Sequence, residues 1–240
     1  MSQMRKNQLA LVVAAIFVAA PIGAKANPTL THPTGTVLSP VAEDVNVGGV
    51  TVFTTRQIKA TNVGNAVLAS ALGSVFCSSV AVTGALTTNN TAAGIKGDVE
   101  TALFAGSGST AAGEPATECT SWTGGVSVTP NPSTNGLPWC MEATSGTDEV
   151  RLRGNACTTP ARAIRLNLAF TSIGSCVYQR SGAAKGVLAT DQGFEEATVS
   201  YSEQEWAKLE GGFGCPGSMT LSLTLTLETD PAAEPVFFSS

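Results

Sequence analysis

The 240-residue chain contains few of the residues on which most enzymes depend. Charged residues make up 13% of it, against a usual share of about 25%, and His32 is the only histidine. A Ser-His-Asp triad needs a histidine held in a rigid site, whereas His32 lies beside Pro33 in a proline-rich stretch. After the N-terminus, no apolar run reaches the roughly 20 residues that span a bilayer. We therefore expect neither a catalytic triad nor a transmembrane anchor.

The N-terminus has the pattern of a secretory signal peptide. Arg5 and Lys6 precede a largely apolar stretch over residues 9–20, and residues 24–26 supply small residues on either side of Lys25. The apolar stretch is too short for a membrane span, and Pro21 follows it. This pattern predicts cleavage after Ala26 and a secreted chain, either periplasmic or extracellular.

The net charge of the predicted mature chain is strongly negative. Removal of residues 1–26 takes away three bases and no acid, so the formal charge changes from −5 to −8. Nucleic-acid-binding proteins need basic surfaces that neutralise phosphates. We therefore expect no nucleic-acid partner.

All six cysteines follow residue 26, and an even number in an exported chain indicates disulfides. No two cysteines have the close spacing of a metal site, so we predict no metal and no cofactor. Fifteen pairings are possible, but successive antiparallel strands are usually neighbours in space. The favoured pairs are therefore Cys77 with Cys119, Cys140 with Cys157, and Cys176 with Cys215.

The fold class follows from a repeated alternation of apolar and polar residues. Residues 219–228 alternate without a break, which is the pattern of a half-buried strand. Shorter stretches of the same kind are separated by clusters of Gly, Pro, Asn and Ser. These features predict an all-β fold, an antiparallel β-sandwich stapled by disulfides with an extended N-terminal arm. Further strands are predicted at 49–54, 80–83, 99–104, 126–129, 139–142, 149–153, 164–170, 176–179 and 198–201.

Two segments allow more than one local structure. Ser202 and Glu205 form a possible helix capping box, but the flanking strands favour a turn at residues 202–203 followed by a strand through Trp206. The alanine-rich residues 65–72 allow one or two helical turns. The predicted organisation is a signal peptide at 1–26, an extended arm at 27–48, a sandwich domain at 49–228 and a C-terminal tail at 229–240.

Three short motifs resemble those of a family of secreted bacterial proteins. They are residues 136–139 (Gly-Leu-Pro-Trp), 176–178 (Cys-Val-Tyr) and 215–218 (Cys-Pro-Gly-Ser). Over roughly residues 75–228 the chain resembles the protein activators of alkane oxidation. The resemblance implies an exported β-sandwich without known catalytic residues, acting near hydrophobic substrates or the cell envelope. Cys140 and Cys157 look like additions to the family pattern.

Aromatic and basic residues provide the candidate binding surface. Trp206 has charged neighbours, and together with Tyr201 it is the aromatic candidate, whereas Trp139 is expected to plug one end of the sandwich. Strand alternation places Arg151, Arg153 and Arg165 on the side opposite their apolar neighbours. We therefore expect a basic outer face, which is either simply solvated or docks an anionic polymer.

Paired carboxylates are the remaining candidates for catalysis. A glycosidase would need two carboxylates facing one cleft, and Glu195 with Glu196 or Glu203 with Glu205 are the available pairs. A solvated acidic edge is the simpler interpretation. Acidic residues such as Asp191 lie in loops, but their spacing matches no known calcium cage.

The sequence as a whole predicts an exported, non-enzymatic protein with a binding or structural role at the cell envelope or outside the cell. Its partner would be an envelope component, a polysaccharide or a hydrophobic ligand. One alternative is a fibre or surface-assembly subunit that self-assembles by adding its arm as a strand to a neighbouring copy. Another is a carbohydrate-active hydrolase using Glu203 and Glu205.

Overall fold

The computed structural model describes residues 29–31, 37–38, 43–47, 50–54, 57–90, 92–106, 118–130, 136–143, 148–189, 196–230 and 235–239. Within these ranges all regular structure is β, and every strand pairing is antiparallel. The strands are β1 (Thr29–Thr31), β2 (Glu43–Val47), β3 (Val50–Thr54), β4 (Gln57–Asn62), β5 (Ala66–Ser70), β6 (Gly73–Cys77), β7 (Ser79–Asn90), β8 (Gly94–Ala105), β9 (Cys119–Ser121), β10 (Gly124–Pro130), β11 (Trp139–Ala143), β12 (Glu149–Gly154), β13 (Ile164–Phe170), β14 (Gly174–Arg180), β15 (Ala184–Ala189), β16 (Thr198–Glu210), β17 (Ser218–Thr229) and β18 (Phe237–Ser239).

The long hairpin of β16 and β17 organises the molecule because each of its strands pairs with two successive neighbours. Along the outer edge of β17, β5 pairs near the hairpin turn and β4 pairs farther from it. Along the outer edge of β16, β14 pairs near the turn and β15 pairs farther from it. The sheet therefore closes on itself on both sides of one shared hairpin.

Two closed rings of eight strands result from this pairing. The first ring contains β4, β7, β8, β11, β12 and β15 with the halves of β16 and β17 far from their turn. The second ring contains β5, β6, β9, β10, β13 and β14 with the halves next to the turn. The apolar side chains of β17 alternate inward along both rings, which explains the unbroken pattern of this segment.

The predicted all-β, antiparallel and disulfide-stapled fold class is confirmed. The sheet edges that a sandwich leaves open are instead paired into the two rings. The strand predicted through Trp206 is also confirmed, as the second half of β16, which has a register shift between Tyr201 and Gln204 where the turn was predicted. The helical turns considered for residues 65–72 are wrong, because Ala66 and Leu68 alternate inward in β5.

All three predicted disulfides form, Cys77–Cys119, Cys140–Cys157 and Cys176–Cys215. The first closes a weak seam of the second ring, where β6 and β9 share a single bridge between Phe76 and Thr120. The third ties β14 to the turn between β16 and β17. Disulfides of this kind persist in non-reducing compartments such as the periplasm or the cell exterior.

Part of the predicted arm is docked on its own chain. β1 pairs with β18, so the arm and the predicted C-terminal tail hold each other. Leu30 and Leu38 are buried, and the side chain of Asn89 bonds their backbone groups. The predicted signal peptide at residues 1–26 lies outside the described residues. None of the described segments is a helix with the length and apolarity needed to cross a membrane.

Candidate functional site

A cavity of about 90 Å³ lies inside the first ring. Every strand of that ring contributes to its lining, together with Leu166 of β13. The aromatic members of the lining are Phe104, Trp139, Tyr201 and Trp206. An apolar cavity of about 150 Å³ in another protein stays dry and takes up benzene or xenon, so a void of this kind can hold a small apolar molecule.

The cavity exists because large side chains on β17 face small residues on the other strands. Leu221, Leu223, Leu225 and Leu227 all point inward from β17. Six glycines and alanines of the other strands lie in the same lining: Ala60, Gly84, Ala85, Gly97, Ala102 and Ala184. Small residues leave space that leucine or valine would fill, and such voids are few in a close-packed interior.

The close approach of β7 to β8 explains why a glycine is present at position 84. A Cβ atom added at Gly84 would lie 2.4 Å from the backbone oxygen of Asp98 on β8. The pairing of β7 with β8 shifts register beside Gly84, which brings the two backbones together at this point. Gly84 is therefore required by the backbone, and the space beside it is a consequence.

The indole of Trp206 is the chemically notable group of the cavity. The side chain is 2% exposed, and within the described residues its Nε1 has no hydrogen-bond partner. A buried donor without a partner costs roughly 1–3 kcal/mol, and native proteins contain few of them. The lining thus combines apolar side chains with a buried indole whose N–H is unpaired among the described residues.

Two other polar residues of the lining, Gln204 and Asp98, already have hydrogen-bond partners. Gln204 accepts a hydrogen bond from the backbone N of Lys185 and donates one to the backbone oxygen of Ser202, both at 2.8 Å. Asp98 accepts a hydrogen bond from the backbone N of Cys157 at 2.6 Å. The donors of the lining that an incoming acceptor could use are therefore the Trp206 indole and the Tyr201 hydroxyl.

The docked part of the arm closes one end of the first ring. Asn89 Oδ1 accepts from the backbone N of Leu30 at 2.9 Å, and Nδ2 donates to the backbone oxygens of Leu30 and Leu38 at 2.8 Å each. Leu30 shares a small void with Val150, Leu188 and other residues from the same end of the ring. Asn89 is itself buried, so this contact is sheltered from water.

The prediction that Trp206 and Tyr201 form an exposed surface is wrong. Both line the cavity, while the charged neighbours of Trp206 are exposed. In a regular strand, residues five apart point to opposite faces. The register of β16 shifts between Tyr201 and Gln204, where Glu203 has a φ of 48°, and both aromatic rings consequently point inward.

The predicted basic face consists of separate local contacts. Arg151 and Lys185 both bind Glu149, at 2.6 and 3.1 Å, and these hydrogen bonds lower the pKa of Glu149. Arg153 donates to the backbone oxygens of Cys157 and Thr159, both at 3.1 Å. Those contacts hold the loop that follows β12.

Arg165 lies apart from the other two arginines of that predicted face. It is on β13, which pairs with β10 and β14, whereas Arg151 and Arg153 are on β12, which pairs with β11 and β15. Its Nε donates to Gln179 Oε1 at 2.9 Å. The structure therefore divides the three arginines between the two rings.

The carboxylate candidates lie away from the cavity. Glu203 and Glu205 are exposed on β16, and the backbone N of Glu203 donates to Ser222 Oγ at 3.1 Å. Glu196 is exposed, while Glu195, Asp191 and His32 fall outside the described residues. Among described residues, Asp98, Cys140 and Cys157 lie close enough to share a metal, but the two cysteines form a disulfide and offer no thiolate.

Comparison of the chain with protein-family models, with curated proteins and with solved structures found no match. The resemblance to the protein activators of alkane oxidation therefore stays a prediction from three short motifs.

Proposed function

We propose that this protein is an exported binding protein that holds a small, neutral, largely apolar molecule inside the first ring. The observation that carries the proposal is that Trp206, whose buried Nε1 has no partner among the described residues, lines an apolar cavity. Binding sites are mostly apolar, with a few polar groups that orient the ligand. A ligand with one carbonyl, ether or hydroxyl oxygen would satisfy this donor.

The charge at the cavity favours a neutral ligand. Asp98 is the one charged residue in the lining as the structure describes it, and its carboxylate accepts from the backbone N of Cys157, so the described lining offers no cation to pair with an anion. Burial of an unpaired carboxylate or ammonium in an apolar cavity is also far more costly than burial of a neutral oxygen. Fatty acids bound by their carboxylate are therefore poor candidates, whereas ketones, esters and alcohols fit.

Export is the second part of the proposal. The pattern of residues 1–26 supports secretion of a bacterial protein, and the three disulfides suit a non-reducing compartment. The resemblance to the protein activators of alkane oxidation implies a setting near hydrophobic substrates. A carrier or sensor of such a molecule at the cell envelope needs no catalytic residue.

The assembly alternative carries a structural cost in this fold. Strand addition by the arm would require β1 to leave β18 and would expose the contacts of Asn89. A variant that lacks residues 27–48 distinguishes assembly through the arm from closure of the first ring by the arm. If the arm links copies, the deletion abolishes assembly; if the arm closes the first ring, it alters ligand binding and leaves the protein monomeric.

The direct test compares the binding of two small cyclic molecules of similar size, cyclopentane and cyclopentanone. In the wild-type protein the ketone oxygen can accept from Trp206, and we expect Trp206→Phe to weaken cyclopentanone binding about fivefold to tenfold more than cyclopentane binding, the worth of one net hydrogen bond. Trp122→Phe is the matched control, because Trp122 is 36% exposed in a hairpin turn. Equal changes for the two molecules, or binding of neither, would reject the proposal.

A further inference from the structure

Four hairpin turns meet at one end of the second ring. They connect β5 to β6, β9 to β10, β13 to β14 and β16 to β17. The strand registers place the four turns at the same end, since Ala69 pairs with Thr220, Val126 with Phe170 and Val177 with Glu210. We call this group of turns the apolar crown, comprising residues 71–72, 122–123, 171–173 and 211–217.

Neighbouring turns of the crown also touch one another. The backbone N of Thr171 donates to the oxygen of Gly125 at 3.3 Å, and Ser172 Oγ donates to the oxygen of Thr123 at 3.4 Å. A Cβ atom at Gly73 would meet Trp122, and one at Gly214 would meet Ile173. The crown is therefore one continuous surface.

Three of the turns present one large apolar side chain to the outside, and the fourth holds Ile173 partly buried against the core. Phe213 is fully exposed, Leu72 and Trp122 are exposed by 52% and 36%, and Ile173 is half-buried. None of the four turns contains a charged residue, and the remaining positions are Gly, Ala, Ser, Thr, Pro and Cys215. Clustered exposed apolar side chains mark interaction sites, whereas isolated ones need no explanation.

The base of the crown is anchored, which distinguishes it from a loose loop. The disulfide Cys176–Cys215 fixes the turn that carries Phe213. Tyr178 donates its hydroxyl hydrogen to the backbone oxygen of Pro216 at 3.1 Å, and Lys208 Nζ donates to the oxygen of Cys215 at 3.3 Å. The turn is held in place while its phenylalanine projects into solvent. Rigid support below exposed contact residues is the arrangement that binding surfaces need.

We propose that the apolar crown docks this protein on a lipid bilayer surface, with Leu72, Trp122, Ile173 and Phe213 entering the interfacial layer. Trp is enriched at the level of the lipid headgroups, and apolar side chains gain free energy by entering the acyl boundary. None of the four turns contains a charged residue, so insertion limited to the turns desolvates no ionic group of their own. Lys208, which binds the oxygen of Cys215, and the exposed Glu210 lie at the base of the crown and limit the depth of insertion.

The charge of the chain predicts the type of lipid headgroup to which the crown binds. The full chain carries a formal charge of −5, and Lys208, the one cation shown to contact the described crown, is bound to the backbone oxygen of Cys215. Attachment through the crown should therefore be driven by apolar insertion, work on zwitterionic phosphatidylcholine and change little with salt. A polybasic attachment would show the opposite dependence.

The test measures sedimentation of the full mature chain with phosphatidylcholine vesicles at low and high salt. We expect the wild-type protein to bind at both, and Phe213→Ser to lower the partition coefficient by at least about tenfold, as expected for loss of one buried phenylalanine. Val187→Ser is the control, because Val187 is 58% exposed on β15 of the first ring. Its partition should match that of the wild-type protein.

A second readout follows insertion at the crown itself. Brominated lipids should quench the fluorescence of the wild-type protein and should quench Trp122→Phe much less, because Trp139 and Trp206 are buried. Absence of vesicle binding, or equal binding of all variants, overturns the proposal. So does a dimer in light scattering that Phe213→Ser converts to a monomer without any vesicle binding, which would make the crown an interface between copies.

Discussion

The two rings share one hairpin and the same number of strands, yet they are stabilised differently. The first ring contains the 12-residue strands β7 and β8, whereas the second contains β9 of three residues and β5 and β6 of five. Two of the three disulfides lie in the second ring, at its weak seam and at its hairpin turn. Covalent bonds therefore support the part of the sheet with the shortest ladders.

The interiors and ends of the rings differ as well. The first ring holds the cavity with the unpaired indole and is closed by a docked segment of the arm. The second ring buries Tyr178 and two disulfides and exposes the apolar crown. One sequence thus provides an interior suited to a small molecule and an end suited to a surface.

Removal of disulfides should give the largest contrast between the rings. Replacement of both Cys77 and Cys119 by Ala opens a link between residues 42 apart, and the loop-entropy estimate is a loss of about 4 kcal/mol in the free energy of unfolding. The same change at Cys140 and Cys157, which are 17 apart, should cost about 3 kcal/mol. Urea titration of both double variants measures the two losses. A larger loss for the Cys140 and Cys157 variant would contradict the view that the second ring depends more on its disulfides.

Asn89→Ala should loosen the closed end of the first ring. It removes the partner of the buried Leu30 N–H and of the Leu38 carbonyl, while the Leu30 carbonyl keeps its bond from the backbone N of Leu38 at 3.0 Å; we expect a loss of about 2 to 3 kcal/mol in the free energy of unfolding. Hydrogen exchange at the amides of Leu30 and Leu38 should accelerate together with this loss. Thr87→Ala, at an exposed position of the same strand, is the control. Unchanged exchange at both leucines would show that Asn89 does not hold the arm.

The chain contains two tyrosines, one in each ring, and their ionisation at high pH reports on the stability of the folded protein. Burial raises the pKa of Tyr178 in the second ring to about 12, and burial raises the pKa of Tyr201 in the first ring as well. A raised pKa means that the neutral form is favoured in the folded protein. The stabilisation is complete below about pH 10, the usual pKa of tyrosine, and is lost as the pH rises through the folded value.

The measurement is the free energy of unfolding of wild type, Tyr178→Phe and Tyr201→Phe between pH 8 and about pH 12. Each phenylalanine variant should lose less stability over this window than the wild-type protein, because it cannot ionise. Tyr178→Phe also lacks the hydrogen bond to Pro216, so it should start from a lower value at pH 8. Identical slopes in all three proteins would contradict the assigned burial.

Glu149→Gln should give the smallest effect. The ion pairs of Glu149 with Arg151 and Lys185 lie on the exposed surface of the first ring, where such pairs contribute little. The lowered pKa of Glu149 means that its contribution is present above the ordinary range of glutamate and disappears as the pH falls through the folded value. The free energy of unfolding at neutral pH should change little, and high salt should reduce its difference from the wild-type value. A large loss of stability would show that β12 and β15 depend on the ion pairs of Glu149 with Arg151 and Lys185.

Much of the covalent framework and fold class could be predicted from sequence, because period-two alternation and an even cysteine count report directly on strands and bridges. The strands β4, β6, β9 and β15 were not predicted, since they are short or rich in Ala, Gly and Ser and bury few bulky residues. The rings close because β16 and β17 each pair with two successive strands along their outer edges. A local sequence pattern does not report such long-range pairing.

The site was harder to predict because it depends on one bulge. Strict alternation separates Tyr201 from Trp206, and only the register shift at Glu203 turns both inward. The charged neighbours of Trp206 then give a misleading signal of exposure. A polar Ser-Glu-Gln-Glu run in the middle of a strand, residues 202–205, was the available hint of an irregularity.

The most direct test of the central claim is a ¹⁵N–¹H spectrum of the three indole groups, with Trp206 assigned through Trp206→Phe. On addition of cyclopentanone, the Nε1–H resonance of Trp206 should move downfield as it gains a hydrogen bond, and cyclopentane should not produce that shift. A Trp206 resonance that stays in place with cyclopentanone, or moves equally with both molecules, would contradict a cavity built to bind an oxygen-bearing apolar ligand.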